Sequence, residues 1–292
     1  MAIIKKNPNL PDYFLEVGGV TLETPPSAVP SIVGRYEDAK VMWFPELKPR
    51  IDTGFWASLD TRSLRALKKL STRSNIDGSQ DASSTAAQIG SLEKSGVDRG
   101  LAAEVARQMS SLLEQVMPLY QPLFGGYRFL KGKVVWRLQD VYTENLHLDA
   151  YASPVANHFA RLFINLDTQP RIWHTSWQAE DVMRIAKGRL PAEEFTKRSA
   201  NDLWSAFNFS VFGKTSSEWW DDQPRHVAFF EPGDVWSVDS RLVAHQIFYG
   251  RRAVSIDFSV DPATMLSGDR QYLRLAESAK ASVLAGPHPL AV

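Results

Sequence analysis

Cysteine is absent from the 292 residues, which excludes a disulfide framework, thiol catalysis and the cysteine-containing ligand sets usual in structural zinc sites. No run of about 18 apolar residues occurs, so no segment is suited to crossing a bilayer as a helix. The start, Met1-Ala2-Ile3-Ile4-Lys5-Lys6, carries charge without the apolar stretch of a secretory leader, and the expectation is a soluble cytoplasmic protein. Charge of one sign is not in excess: 33 Lys and Arg face 33 Asp and Glu, which gives no indication of a nucleic-acid partner. Gly-x-Gly-x-x-Gly, Gly-x-x-x-x-Gly-Lys-Ser/Thr, Gly-x-Ser-x-Gly and His-Glu-x-x-His are all missing. Nucleotide binding, serine hydrolysis and helix-borne zinc catalysis therefore lose their usual sequence support.

What is present is a pair of potential metal ligands two residues apart, His147 and Asp149, with a third, His245, 98 residues further on. Side chains alternate along a strand, so His147 and Asp149 fall on one face. Two imidazoles and one carboxylate leave the other positions of an octahedron open, which suits non-haem Fe(II) that must also take a co-substrate and O2. The surroundings read as strands: Val134 to Leu138 before the pair, Phe159 to Leu166 after it, and Ala253 to Val260, apolar at 254, 256, 258 and 260, after His245. Phe229-Phe230-Glu231-Pro232-Gly233-Asp234-Val235-Trp236 gives a turn and a short strand ahead of His245. A chain that returns a late strand beside an early one is required, as in a double-stranded β-helix.

This layout resembles the Fe(II)- and 2-oxoglutarate-dependent dioxygenases. The runs Val135-Trp136-Arg137, His147-Leu148-Asp149-Ala150-Tyr151-Ala152-Ser153-Pro154, Arg161-Leu162-Phe163-Ile164-Asn165 and Pro170-Arg171-Ile172-Trp173 are similar to the Kdo hydroxylase family. Those enzymes hydroxylate a 3-deoxy-octulosonic acid sugar of the lipopolysaccharide inner core. The resemblance covers roughly residues 127 to 265. It implies an α+β protein with a mainly β core, a jelly-roll or cupin-like double-stranded β-helix with flanking helices. It implies Fe(II), 2-oxoglutarate and O2 as cofactor and co-substrates, and a small-molecule or lipid-linked sugar substrate. Kdo, an amino acid and a specialised metabolite all fit as the substrate, and a cupin-type metal enzyme that uses no 2-oxoglutarate is the other enzymatic reading. Peripheral membrane contact and any oligomeric state stay open.

The far carboxylate of 2-oxoglutarate needs a cation, because a buried carboxylate without a partner is costly. Arg161 ranks first, on a strand face shared with Phe163 and Asn165, at a place where one branch of the superfamily carries a basic residue. Arg137, Arg171 and Arg252 compete; for Arg251 and Arg252 the alternative is a solvated hairpin end with Gly250 supplying the turn. Trp173 and Trp236 lie nearest the proposed site in sequence, and Trp204, Trp219 and Trp220 belong to an insertion. His174 reads as a hydrogen-bonded structural residue, and His288 as a surface one.

A single dioxygenase domain is expected over residues 1–292. Residues 1–125 form an extended, Pro-rich segment, with a short strand at Val41 to Phe44, followed by supporting helices. Residues 126–265 form the core, interrupted by a helical insertion at about 174–225, and 266–292 form a tail. Helices are expected at Ser63 to Leu70, at Gly100 to Met117 where Pro118 closes it, at Ala179 to Lys187 and at Ala192 to Phe207. Ser71 to Ser84 reads as a polar loop, and Ser71 to Gly90 as a candidate lid.

Overall fold

The computed structural model describes residues 2–74, 82–140, 143–150, 158–213 and 222–285. Two sheets organise the chain. One has four strands, β1 (Ile3–Lys5), β8 (His226–Phe230), β7 (Arg171–Gln178) and β10 (Val243–Tyr249), in that order and all antiparallel. The other has seven, in the order β2 (Phe14–Glu16), β3 (Val41–Phe44), β9 (Val235–Ser237), β6 (His158–Asn165), β11 (Arg252–Val260), β5 (Phe129–Leu138) and β4 (Lys69–Ser74). The sheets face each other through aromatic side chains: Trp173 lies 5.2 Å from Phe163 and 5.5 Å from Trp236, and Phe230 stacks on Trp236 at 4.1 Å between ring centroids.

Strand alternation sorts the large sheet into two chemistries. On β5, β6 and β11 the apolar set Val134, Trp136, Leu162, Ile164, Val254, Ile256 and Phe258 joins the core formed with helix α4 (Arg99–Leu123). The intervening residues point the other way, and the register aligns them in rows: Arg137, Ala253 and Asn165; Val135, Ser255 and Phe163; Lys133, Asp257 and Arg161. A period-two sequence thus places hydrophobic residues under a helix and charged residues between the sheets. The remaining helices are α1 (Val33–Glu37), α2 (Thr53–Ser58), α3 (Ala82–Lys94), α5 (Ala179–Lys187), α6 (Ala192–Lys197), α7 (Ala200–Phe212) and α8 (Tyr272–Leu284). Helices α5 to α8 cover the small sheet, with Val182, Phe195, Trp204, Phe207 and Ala276 in its core. Among the described residues no helix is long and apolar enough to cross a membrane.

Several sequence expectations change for physical reasons. The amino-terminal segment adds β1 to one sheet and β2 and β3 to the other, so it completes both rather than merely supporting them. Ser63 to Leu70 is a 3-10 turn at Arg65–Leu67 followed by β4, because β5 has an open edge and Leu70 pairs opposite Trp136; Leu67 and Leu70 are buried all the same. Pro118 does not end α4, which runs five residues further with Pro122 also inside it. Pro118 and Glu114 are both exposed, so water can take the carbonyl that the missing N–H would have met. Ala192 to Phe207 divides at Arg198, which is extended, and Ser199 caps α7 by accepting from the Asp202 N–H. The insertion begins only after β7, at 179. The expected loop after Ser71 holds the rest of β4 and the start of α3; the part between them that would serve as a lid, 75–81, lies outside the described residues. The tail carries α8.

Arg252 shows how the frame is locked. Its side chain is 3% exposed, and its guanidinium donates to the carbonyls of Trp56, Leu59 and Leu138 at 2.8–2.9 Å and to Asp140 at 3.1 Å. Two of those carbonyls lie at the carboxyl end of α2, where a cation complements the helix dipole, and the Leu59 carbonyl also accepts from the Thr61 N–H. Replacing it by methionine, Arg252→Met, removes the guanidinium donors from the buried Trp56, Leu59 and Leu138 carbonyls and is expected to lower unfolding free energy by about 3 kcal/mol in chemical denaturation. An unchanged midpoint would refute this locking role.

Candidate functional site

The segment 143–150 lies along β10. His147 and His245 exchange backbone hydrogen bonds of 3.0 and 2.8 Å, the Glu144 N–H donates to the Ile247 carbonyl at 3.0 Å, and the Asp149 N–H donates to the Ser240 carbonyl at 2.8 Å. From the other side Asn208 of α7 clamps the residue between His147 and Asp149. Its side-chain oxygen accepts from the Leu148 N–H at 2.8 Å, and its amide donates to the Leu148 carbonyl at 2.5 Å. The Trp204 indole donates to the Asp149 carbonyl at 3.3 Å. The inserted helices therefore hold the candidate ligand segment in place.

Of the predicted ligands, His147 lies close to both His245 and Asp149, while the group whose donor atoms all lie within 4.8 Å of one another among the described residues is Glu144, His147 and His245. The rings of His147 and His245 are 4.6 Å apart, and Asp149 Oδ1 lies 3.4 Å from His147 Nε2. Each imidazole has Nδ1 against a backbone carbonyl, His147 against Asn145 at 2.6 Å and His245 against Val243 at 3.2 Å. That contact places a proton on Nδ1, so the neutral form of each imidazole carries its lone pair on Nε2, the tautomer a metal requires. Asp149 Oδ2 is bound by Arg161 and by the Ser240 hydroxyl, which donates at 2.7 Å, so only Oδ1 is turned toward His147.

Electrostatics separate the two imidazoles. Burial lowers the His147 pKa, but the hydrogen bond and charge of Asp149, with the Asn145 carbonyl, outweigh it and raise the value to about 9. His245, fully enclosed and next to His147, is pushed down to about 3, mainly by burial. Asp149 stays well below the usual carboxylate range: burial opposes ionisation, and Arg161 and the two histidines more than offset it.

Beside these groups opens a cavity of about 220 Å³ between the sheets. Among the described residues five cationic side chains line it, Lys69, Lys133, Arg137, Arg161 and Arg171, against three carboxylates, Glu144, Asp149 and Asp257. Trp173 forms part of the wall, stacked on His245 at 5.2 Å, and its buried indole N–H has no acceptor among the described residues. Arg161 is committed within the protein to Asp149 and Ser240, with Asp257 3.5 Å away. Arg171 is buried and its pKa is lowered to about 10 by that burial, with Glu144 acting to raise it. Its guanidinium fills the space where a Cβ on Gly250 would stand, so Gly250 is needed for room there.

Two predicted residues lie elsewhere. Arg252 serves the backbone as described, and the Asn165 amide donates to the carbonyls of Gln169 and Phe230 at 2.9 Å, closing the turn between β6 and β7. Arg251 is not a solvated hairpin end either, since it pairs with buried Asp167 at 2.5 and 2.8 Å. His174 bonds Gln246 at 3.0 Å, and His226 accepts from the Asn7 N–H at 2.8 Å, pinning the amino terminus. Trp236 packs between the sheets, whereas Tyr151 to Pro154, Trp219, Trp220 and His288 lie outside the described residues. Ser240, Asn208 and Glu144 were not foreseen. Only Glu144 carried a local cue, an acid three residues from His147, and no strand periodicity brings positions i and i+3 together.

Asn208→Ala removes both bonds to Leu148 and is expected to cost about 2 kcal/mol of stability. The Leu148 amide should then lose hydrogen-exchange protection ahead of the sheet amides. Unchanged protection at Leu148 would mean that α7 does not hold the segment.

No protein-family model matches the chain, and no curated protein does. Solved structures do match. The apo structure of the Kdo hydroxylase KdoO, a non-heme Fe(II) alphaketoglutarate dependent dioxygenase, aligns with a TM-score of 0.62 and 17% identity, covering 96% of this chain and 100% of that one. The same enzyme in complex with succinate and Fe(III) gives 0.59 at 17% identity, and in complex with alphaketoglutarate and Fe(III) 0.57 at 18%. Each of these covers 92% of this chain and 96% of that chain. This chain therefore has, over almost its whole length, the fold on which that enzyme is built.

Proposed function

We propose that the chain is an Fe(II)- and 2-oxoglutarate-dependent hydroxylase on a double-stranded β-helix, with His147, Asp149 and His245 as its metal ligands. The observation that carries this reading is the placement of two Nδ1-tethered imidazoles side by side, with an Asp149 carboxylate oxygen 3.4 Å from His147 Nε2, at the edge of a cationic cavity. The donor set fits the metal: nitrogen and oxygen ligands in a two-His, one-carboxylate arrangement that leaves positions open. Bound there, iron supplies oxidative decarboxylation of 2-oxoglutarate by O2, coupled to hydroxylation of a substrate C–H.

The chain's own residues then divide the work. Arg161 and Ser240 hold Asp149 Oδ2 so that Oδ1 alone is presented. Arg137 and Arg171, cations of the cavity wall, meet the far carboxylate of the co-substrate, and the Trp173 indole N–H offers a further donor to an anion. Asp149 favours hydroxylation over halogenation, which needs the carboxylate's position for a halide. Among the described residues the cation excess of the cavity is two charges, five cations against three carboxylates. A divalent metal and a dianionic co-substrate offset each other, so the excess persists and supports an anionic substrate. A sugar acid such as Kdo, the substrate class of the enzyme that shares the fold, satisfies that requirement.

Anaerobic addition of Fe(II) and 2-oxoglutarate is expected to produce a weak visible charge-transfer band, absent from His147→Ala and from Asp149→Ala. Metal-loaded protein lacking the band would instead point to a cupin-type enzyme that uses no 2-oxoglutarate. Metal affinity should also depend on pH. His245 is neutral above about pH 3, whereas His147 is protonated below about 9 and must release one proton to bind. Affinity for Mn(II) should thus rise about tenfold per pH unit between pH 6.5 and 8.5. A pH-independent affinity would contradict the assignment of His147.

A further inference from the structure

We propose that Glu144 is a fourth protein ligand of this metal centre, occupying one open position in the resting protein and yielding it to 2-oxoglutarate. The inference rests on the metal reading above and extends it to a residue outside the His-x-Asp…His pattern. A carboxylate oxygen of Glu144 and one nitrogen each of His147 and His245 all lie within 4.8 Å of one another. Donors bound to one ion at about 2.1 Å stand about 3 Å apart on perpendicular axes and about 4.2 Å apart when opposite, so sharing an ion would draw these three side chains inward.

The backbone makes this proximity durable. Glu144 is tied to Ile247, two residues from His245 on β10, by its N–H bond of 3.0 Å. Its side chain also lines the cavity. Asp149 is already committed through Oδ2 to Arg161 and Ser240, so it supplies one oxygen to a metal, and a second carboxylate leaves no excess of anionic ligands. The charge of Glu144 acts on both His147 and Arg171, so it lies near a candidate metal ligand and near a cation of the cavity wall. An acid at that point repels an incoming dianion unless it moves. Ligation in the resting protein and withdrawal toward Arg171 on co-substrate binding resolve the conflict, and they keep one position closed until 2-oxoglutarate arrives.

The test is water-proton relaxation by bound Mn(II), which reads the number of exchangeable waters on the metal directly. With four protein ligands the parent carries two waters; Glu144→Gln carries three, so its relaxivity is expected to rise by about half. Glu144→Asp, which keeps the charge and shortens the reach, should behave like Glu144→Gln. Saturating 2-oxoglutarate takes two positions and, with Glu144 displaced, leaves one water in every variant, so the three relaxivities converge. Equal relaxivity in parent and Glu144→Gln before co-substrate, even with altered affinity, overturns the proposal and makes Glu144 a wall carboxylate only. Mn(II) that fails to bind the parent, or binds His147→Ala equally well, overturns the metal reading and this proposal together.

Discussion

Burial of Arg161 is the constraint on which the rest depends. The residue is 7% exposed in the middle of a β-strand, and a guanidinium in that position needs carboxylates at close range to offset its desolvation. Two supply it from different parts of the chain: Asp257, directly opposite on β11, and Asp149, on the segment that carries His147. The first secures the register of the sheet, and the second draws that segment down onto it. Ser240 binds both Asp149 and Arg161, which adds the turn leading into β10 and so the approach of His245. Removing Arg161 would leave Asp149 and Asp257 without the cation they share. Site geometry and fold stability are for this reason the same set of interactions.

Strand alternation accounts for how a polar cavity survives beside a large core. Each of β5, β6 and β11 gives one face to α4 and the other to the gap between the sheets. The aromatic group Phe163, Trp173, Phe230 and Trp236 fills that gap at one side, and charged residues line it at the other. Helices α5 to α8 cover the far face of the small sheet, and α7 reaches through to Leu148. The inserted helices thus act on the candidate site by fixing a backbone rather than by offering a side chain to a ligand.

The cationic lining gives the proposed reaction its direction. Arginines whose charge is held in a partly dehydrated space select anions strongly, because an anion restores the interactions that burial removed. Arg161 is held by Asp149 and Ser240, and Arg137, Arg171, Lys69 and Lys133 supply the rest of the positive charge of the wall.

Much of this was legible in the chain itself. The alternation of β11 and the apolar stripe of α4 follow from side-chain periodicity, which is local and therefore written into neighbouring residues. The absence of cysteine and of nucleotide or hydrolase motifs removed competing chemistries for the same reason. Periodicity could not assign the arginines: Arg161 and Arg252 look alike as cations in strands, yet one meets Asp149 and the other closes α2. Their roles are set by acceptors that lie far off in sequence, as are those of Asn208, 60 residues from Leu148, and Ser240, 79 from Arg161. The sequence by itself determined which side chains face which way along each strand. Only the tertiary structure decided which buried charges meet, because that pairing depends on how distant segments close over one another.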